Sequence, residues 1–412
     1  MSIGRQRIVR RCRKCLHTES EQLPVCRKAV VYLDQFVYSN MAKVVDDVWA
    51  AERAAPEVWA RLFDALDTTL KLQLVVCPQS RLHEQESIVH KHFAMLRRLY
   101  EHFSCGTRFE FPTRVHGLQL SHALEAHLAG SAPNFDVIDR RAVIAGEPDD
   151  WQQRIQITLN WTAALPDAAK HRSAREKSGE IWARLFEGWR RNPQTFDEHY
   201  RRELKGHAET TVRLLGEHLA VMEQLNNPTE GALAHLVEDA VNYRLEVQNA
   251  YDLAAQAIGA GVTPAEALTF VAKFLYSDIA SSAPMNELNA LLFAALGRRA
   301  ANGQKKPPSR GMWQDFEAIS AFLPYCDAMF VDNECAGLIA EEPLRSRTSA
   351  FSSKIFSTRT VEAFIAYLHS LEAAAGEPWR ELVVRTYGPD WLTPYRNILR
   401  DQRNREQRRK LE

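Results

Sequence analysis

The sequence has no excess of either charge, because 52 basic residues balance 52 acidic residues in a chain of 412. Overall charge therefore points to no particular partner. No apolar run approaches the roughly 20 residues that span a bilayer, and no signal-peptide segment follows the basic start. The seven cysteines, an odd number, fit a reducing compartment better than a disulfide framework. These absences predict a cytoplasmic protein with no membrane partner.

The sequence also has no internal repeat, and none of its serines or cysteines lies in a recognisable nucleophile motif. Covalent catalysis of the serine or cysteine type is therefore not indicated. The chain is too long for one ordinary core, which favours about two to three domains or one domain with a large insertion.

Two apolar runs that end in aspartate are the main signal. Residues 30–33 are followed by Asp34, and residues 328–331 are followed by Asp332. Such runs are typical of strands buried on both faces of a parallel sheet. Open sheets of this kind bind ligands at the carboxyl ends of their strands. The alternative is that each aspartate only caps the helix that follows.

A long amphipathic helix is predicted from its N-cap Ser80 to about Phe103. Glu86 falls on the same side as the apolar stripe, whereas Glu84 points away. His83 lies one turn before Glu86 on nearly the same face. An ionised carboxylate that faces a core is costly unless something positive compensates it. The alternative is that Glu86 lies close enough to the helix start to reach water.

A second carboxylate on an apolar helix face follows a polar linker at residues 303–311. This linker is rich in proline and glycine. A short helix over 312–323 carries Asp315 on its apolar face. The strand that ends at Asp332 follows directly, and Asp327 precedes that strand. We expect Asp327 to be a reserve ligand, or a partner that orients one.

Four carboxylates are therefore directed toward one place: Asp34, Glu86, Asp315 and Asp332. Without a counter-charge they would repel one another and lose hydration. Mg²⁺ or Mn²⁺ takes oxygen ligands and is the usual partner of such a cluster. The sequence thus predicts a site for a hard divalent cation.

These motifs resemble the bacterial branch of the PIN-like nucleases. The resemblance is carried by Tyr32-Leu33-Asp34-Gln35, by Ser80-Arg81-Leu82-His83-Glu84-Gln85-Glu86, and by Asp315 together with residues 323–332. It covers under half of the chain, and the region between the second and third acids is far longer than in a compact PIN domain. Asn333 also departs from the pattern after the last aspartate.

The resemblance implies a Mg²⁺- or Mn²⁺-dependent endoribonuclease whose catalytic and metal-binding set is the four carboxylates, with Asp327 as a further ligand. His83, Arg310 and Lys354 are assigned to positioning and substrate binding. RNA is the implied substrate and DNA stays open. The alternative is a non-catalytic PIN-like module whose helical insertion binds a protein or RNA partner. A haloacid-dehalogenase-type hydrolase is disfavoured because Phe36 stands where its second acid is needed.

The predicted fold is α/β, with a PIN-like, mostly parallel sheet flanked by helices and interrupted by a large α-helical insertion. Strands are expected at 30–34, 72–77, 328–332 and 354–357, with a short strand near 155–159. The units are a basic arm, the first PIN-like part, the insertion, the second PIN-like part, and a C-terminal helical segment with a basic tail (1–27, 28–130, 131–304, 305–375 and 376–412). A homo-oligomer or a protein partner could form through the insertion.

The basic arm contains Cys12, Cys15, His17 and Cys26, which could supply four zinc ligands. Their spacing matches no standard zinc finger. The surrounding segment has little else to fold around. We therefore expect an arm without ordered structure rather than a zinc site.

Overall fold

The computed structural model describes residues 2–4, 6–12, 14–52, 55–152, 168–226 and 244–411. It is a mixed α/β structure in which helices predominate. Among the described helices, none combines the length and the apolar character that crossing a bilayer requires.

The strands are β1 (Ser2–Gly4), β2 (Arg7–Arg11), β3 (Thr18–Gln22), β4 (Ala29–Leu33), β5 (Val75–Val76), β6 (Arg108–Phe109), β7 (Ile144–Ala145), β8 (Ala328–Phe330) and β9 (Lys354–Phe356). The helices up to the middle of the chain are α1 (Gln35–Val45), α2 (Asp47–Glu52), α3 (Glu57–Lys71), α4 (Arg81–Ser87), α5 (Phe93–Ser104), α6 (Pro112–Ala129), α7 (Arg140–Val143), α8 (Ala168–Arg191) and α9 (Phe196–Asn226). The later helices are α10 (Leu245–Gly259), α11 (Ala267–Leu275), α12 (Asp278–Ser281), α13 (Pro284–Ala301), α14 (Met312–Phe322), α15 (Asn333–Ile339), α16 (Leu344–Thr348), α17 (Val361–Tyr387) and α18 (Tyr395–Leu411).

The central sheet has the order β5-β4-β8-β9, and every neighbouring pair is parallel. Three of its strands lie within predicted ones, and β4 begins one residue before the predicted 30–34, which confirms a mixed α/β fold built on a parallel sheet. All four carboxyl ends therefore open on the same edge. The strand expected near 155–159 lies outside the described residues.

Alternate residues of β4 face opposite sides of the sheet, as the period of a strand requires. Val31 and Leu33 pack with α1, α3, α5 and α17. Val30 and Tyr32 pack with α4, α8, α13 and α14 on the other side. Because both faces are covered by helices, the strand is apolar throughout, as expected for a parallel sheet.

The helical insertion shares its core with the sheet. Phe293 of α13 stacks on Trp182 of α8 at 5.4 Å between ring centroids, and it meets Phe316 of α14 edge-on at 5.4 Å. All three rings belong to the cluster that also holds Tyr32. The insertion is therefore packed against the helix that carries Asp315.

The described residues of the basic arm include three strands, so the expectation of an arm without ordered structure is wrong. Strands β1, β2 and β3 form an antiparallel sheet, and the buried Ile8 belongs to a cluster with Trp151 and Tyr387. Cys26 is fully buried, and its thiol donates to the Gln73 carbonyl at 3.1 Å. It is thereby separated from the exposed Cys12 and Cys15, so the set of four zinc ligands is not assembled.

The helix predicted from Ser80 to Phe103 is two helices, because α4 ends at Ser87 and α5 begins at Phe93. In the break, the His92 N–H donates to the Nδ1 of His90 at 3.1 Å. The His92 ring also stacks on Trp49 at 4.2 Å. These side-chain contacts compete with helical hydrogen bonding, which a periodicity argument does not detect.

We expect Phe293→Ala to lower the free energy of unfolding by about 3–5 kcal/mol, because it empties the junction between the insertion and α14. Urea denaturation followed by circular dichroism measures this loss. Ile181→Ala is the control, since Ile181 is 51% exposed, and its cost should be about 0.5 kcal/mol or less. Equal effects of the two changes would contradict the shared core.

Candidate functional site

Two of the predicted carboxylates lie on neighbouring strands at the carboxyl edge of the sheet. Asp34 directly follows β4, and its N–H donates to the Phe330 carbonyl of β8 at 3.0 Å. Asp332 lies two residues after Phe330. Parallel pairing of β4 with β8 therefore brings the two acids together.

Glu86 reaches the same edge from α4, the helix that follows β5. Ser80 and His83 form a capping box at the start of this helix: the Ser80 hydroxyl accepts from the His83 N–H at 3.3 Å, and the His83 Nδ1 accepts from the Ser80 N–H at 3.1 Å. The box fixes the phase of the helix. Glu84 points outward to Arg108, at 3.0 Å, whereas Glu86 raises the pKa of Asp34 and so lies close to it.

Asp315 comes from the first turn of α14. A β-carbon placed on Gly311 would lie 3.6 Å from Oε1 of Glu86 and 3.9 Å from Oδ2 of Asp315. Ligand atoms of Asp315, Asp332 and Cys335 lie within 4.8 Å of one another. The four carboxylates, contributed by two strand ends and two helices, thus converge on one place.

The electrostatics of the cluster are unfavourable on their own. Burial raises the pKa of Asp34 well above its usual value, and the charges of Glu86 and Asp332 raise it further. Backbone N–H groups of Phe36 and Gln35 oppose this shift only in part. Burial and the neighbouring acids also raise the pKa of the Tyr32 phenol.

The N-termini of nearby helices offset part of the repulsion among the carboxylates. Helices α1 and α14 begin at the cluster, next to Asp34 and three residues before Asp315. Oδ1 of Asp332 accepts the N–H of Cys335 at 2.6 Å and so caps α15. The partial positive charge at helix N-termini favours anions, whether these are the carboxylates or a bound phosphate.

Sequence reasoning did not identify Tyr32 and Cys335 as members of the site. Tyr32 is two residues before Asp34, so the strand period directs both to the same side. Cys335 is one helical turn after Asp332, and its fully buried thiol hydrogen-bonds that carboxylate. Burial first, and then Asp315 and Asp332, raise the pKa of the Cys335 thiol. Spacing could have suggested both residues.

The structure places Asp327 and Lys354 away from the site, contrary to expectation. Asp327 precedes β8, where its Oδ2 accepts the Val30 N–H at 2.7 Å and lies 3.6 Å from Arg140. Lys354 begins β9, and its ammonium lies over the Tyr367 ring. Both residues are at the amino edge of the sheet. Asp332 lies five positions after Asp327, about 16 Å along extended chain, so neither prediction holds.

His83 orients the site but does not contact solvent. Its side chain is fully buried and stacks between Tyr32 at 5.2 Å and Tyr100 at 5.3 Å. Burial lowers the pKa of His83 to about 4, so the ring is neutral. Its assignment to substrate binding is therefore wrong, while positioning agrees with its role in the capping box of the helix that carries Glu86.

Two arginines lie at the rim of the site. Arg310 is exposed, adjoins Gly311 and lies across Gly179 of α8, where an added β-carbon would be 3.0 Å from its Cγ. Arg359, which was not predicted, follows β9 at the carboxyl edge and donates its N–H to Oδ1 of Asn333 at 3.3 Å. Arg310 remains a candidate for substrate binding. Arg359 replaces Lys354 as the second candidate.

The donor set fits a hard divalent cation. Carboxylate oxygens are the ligands that Mg²⁺ and Mn²⁺ prefer, and Gly311 leaves space between Glu86 and Asp315 because it carries no side chain. Without a cation, the buried Asp34 must bear the repulsion of the neighbouring carboxylates. These are the features that a cation site requires.

Comparison of the chain with family models, with curated proteins and with solved structures gives no significant match. The functional argument therefore rests on the geometry of the carboxylates and on the motifs that carry them.

Removing the charge of Asp34 should stabilise the metal-free protein at neutral pH. Because its pKa is raised in the folded state, stability falls as pH increases from the ordinary value of 3.8 to the raised one. Asp34→Asn removes that loss, and asparagine is as well suited as aspartate to the position before α1, so we expect a gain of about 0.5–2 kcal/mol. Urea denaturation with a chelator, at several pH values, measures it. Asp327→Asn should give no such gain.

Gly311→Ala should weaken cation binding without unfolding the chain. The backbone at Gly311, with φ −82° and ψ −17°, accepts alanine, and the nearest atom to the new methyl would be 3.6 Å away. The methyl would occupy the space between Glu86 and Asp315. We expect Mn²⁺ affinity, measured by calorimetry, to fall at least about tenfold. Unchanged affinity would place the ion elsewhere.

Proposed function

We propose that this protein is a PIN-like, metal-dependent phosphodiesterase that cleaves RNA, most simply as an endoribonuclease. The convergence of Asp34, Glu86, Asp315 and Asp332 at the carboxyl edge of a parallel sheet carries the proposal. The order of these acids along the chain supports it, since that order resembles the PIN-like nucleases.

The carboxylates would hold Mg²⁺ or Mn²⁺, with Asp34 and Asp332 fixed by the strands and Glu86 and Asp315 by the helices. Such an ion supplies a water of lowered pKa and neutralises charge at the phosphate. Asp34 and Asp332 also lie at helix starts, so the carboxylates are held in place before any ion arrives. This preorganisation favours catalysis by position rather than by movement.

The residues around the cluster suit hydrolysis without a covalent intermediate. The Cys335 thiol is buried and its pKa is raised, so it is a poor nucleophile. Arg310 and Arg359 are exposed on the rim and can contact phosphate oxygens, for which arginine is well suited. The starts of α1 and α14 favour the same anionic group.

Helix α8 of the insertion supports a role in substrate selection. It borders the rim through the contact of Gly179 with Arg310. Its Trp182 also meets the exposed Trp313 at 6.0 Å between ring centroids. A substrate that approaches the carboxylates past Arg310 must therefore pass this helix. We infer that the insertion limits which RNA segments reach the site.

Cleavage of labelled single-stranded RNA with Mn²⁺ tests the proposal. We expect cleavage that stops with a chelator and falls at least about a hundredfold in Asp34→Asn, since charge-stabilising groups contribute this much. Glu86→Gln and Glu84→Gln are a matched pair on one helix. Only the first should lose activity, because Glu84 pairs with Arg108 outside the cluster.

Cleavage that persists both with the chelator and in Asp34→Asn would reject the mechanism. Equal losses in the two glutamate variants would reject the assignment of Glu86. If Mn²⁺ binds but no RNA or DNA is cut, the non-catalytic binding module becomes the better interpretation.

A further inference from the structure

The most compact group of potential metal ligands in the described part of the chain contains a thiol. Ligand atoms of Asp315, Asp332 and Cys335 all lie within 4.8 Å of one another. Among the described residues, no other three histidine, cysteine, aspartate or glutamate side chains meet this condition. The sulfur of Cys335, rather than a third carboxylate oxygen, therefore completes this group.

The first turn of α15 holds Cys335 beside Asp332. Asp332 is the N-cap of this helix, and Cys335 follows it three residues later. The Cys335 N–H donates to Oδ1 of Asp332 at 2.6 Å, as an N-cap aspartate allows. The thiol also hydrogen-bonds the same carboxylate. The backbone of one helical turn thus places an oxygen ligand and a sulfur ligand next to each other.

The apolar core fixes the other side of Cys335. The residue is fully buried and belongs to the same cluster as Met312 and Phe316 of α14, the helix that carries Asp315. A buried free cysteine ordinarily packs as a small apolar side chain. Packing explains the burial of Cys335, but it does not explain two carboxylates within 4.8 Å of the sulfur.

A sulfur ligand changes which cation the site prefers. Mg²⁺ takes oxygen ligands, whereas thiolate is a soft ligand that suits Zn²⁺ and other transition metals. A thiol loses its proton when it coordinates such an ion. Zinc is bound in proteins by cysteine sulfur and by carboxylate oxygen. The combination of Asp315, Asp332 and Cys335 therefore suits Zn²⁺ better than Mg²⁺.

We propose that Cys335 coordinates the bound cation through sulfur, together with Asp315 and Asp332, and that this ligand makes the site select Zn²⁺ over Mg²⁺. The inference rests on the proposed function, because it concerns the same cation site. It adds a ligand of a different chemical class to the four carboxylates. Selection among cations then depends on a residue that carboxylate chemistry alone does not identify.

Co²⁺ is the spectroscopic probe for a sulfur ligand, used with the full-length reduced chain after other metals are stripped. This chain carries Cys12→Ser and Cys15→Ser, because these exposed thiols could bind cobalt by themselves. We expect thiolate-to-cobalt charge-transfer absorption, which Zn²⁺ removes and excess Mg²⁺ does not. Adding Cys335→Ser should abolish it. Cys326→Ser is the matched control, because Cys326 is also buried but precedes β8 at the amino edge, and it should keep the absorption.

Zn²⁺ affinity is the second measurement. Cys335→Ser should weaken it at least about tenfold, since even groups that only support a ligand contribute this much, and should leave Mg²⁺ affinity unchanged. X-ray absorption at the zinc edge needs no change at Cys335. We expect one sulfur at about 2.3 Å from the zinc in the chain that lacks both exposed thiols.

These measurements contain no RNA, so their outcome is separate from that of the cleavage assay. Absorption that is absent or that survives Cys335→Ser, or a zinc shell without sulfur, would overturn the sulfur ligand. If RNA cleavage with Mn²⁺ persists in that case, the nuclease proposal stands without it. Sulfur signals in a protein that cuts no RNA would support the ligand and count against the nuclease.

Discussion

Repulsion between a buried carboxylate and the like charges around it is the constraint on which the centre of this molecule depends. Glu86, Asp315 and Asp332 are half-buried around the buried Asp34, and burial together with the charges of Glu86 and Asp332 raises the pKa of Asp34. A fold that needed only stability would not place four acids there. Such an arrangement is typical of functional sites, where local instability is retained for chemistry.

The surrounding structure fixes the positions of these acids and does not remove the repulsion between them. Ladder hydrogen bonds fix Asp34 against β8, the capping box of Ser80 and His83 fixes the helix that carries Glu86, and the core shared with α13 fixes the helix that carries Asp315. Each carboxylate is therefore held by a different element. Cation binding at this point would join all of these elements, so the site and the fold support each other.

The insertion and the amino-terminal hairpin are parts of this structure rather than appendages. Rings of α8 and α13 pack on α14, the helix that carries Asp315, so the core of the insertion supports one of the four carboxylates. The hairpin is attached through Ile8 and Leu23, which pack near Trp151 and Tyr387, while its tip stays exposed. The first arrangement joins the insertion to the helix that carries Asp315, and the second joins the amino-terminal sheet to the rest of the chain.

The sequence by itself determined the four strands of the central sheet, the acids that follow β4 and β8, and the inward side of Glu86, because these depend on local periodicity and on the direction of neighbouring residues. It did not determine that Asp327 and Lys354 lie at the amino edge of the sheet, away from the four carboxylates. Spacing alone does not show at which end of a strand a side chain contributes to a site. Nor did it give the break between α4 and α5, the order in the arm or the burial of His83. Those depend on contacts between distant segments, such as Trp49 with His92 and Tyr32 with His83. Only the tertiary structure decides them, because long-range packing outweighs local preference wherever the two conflict.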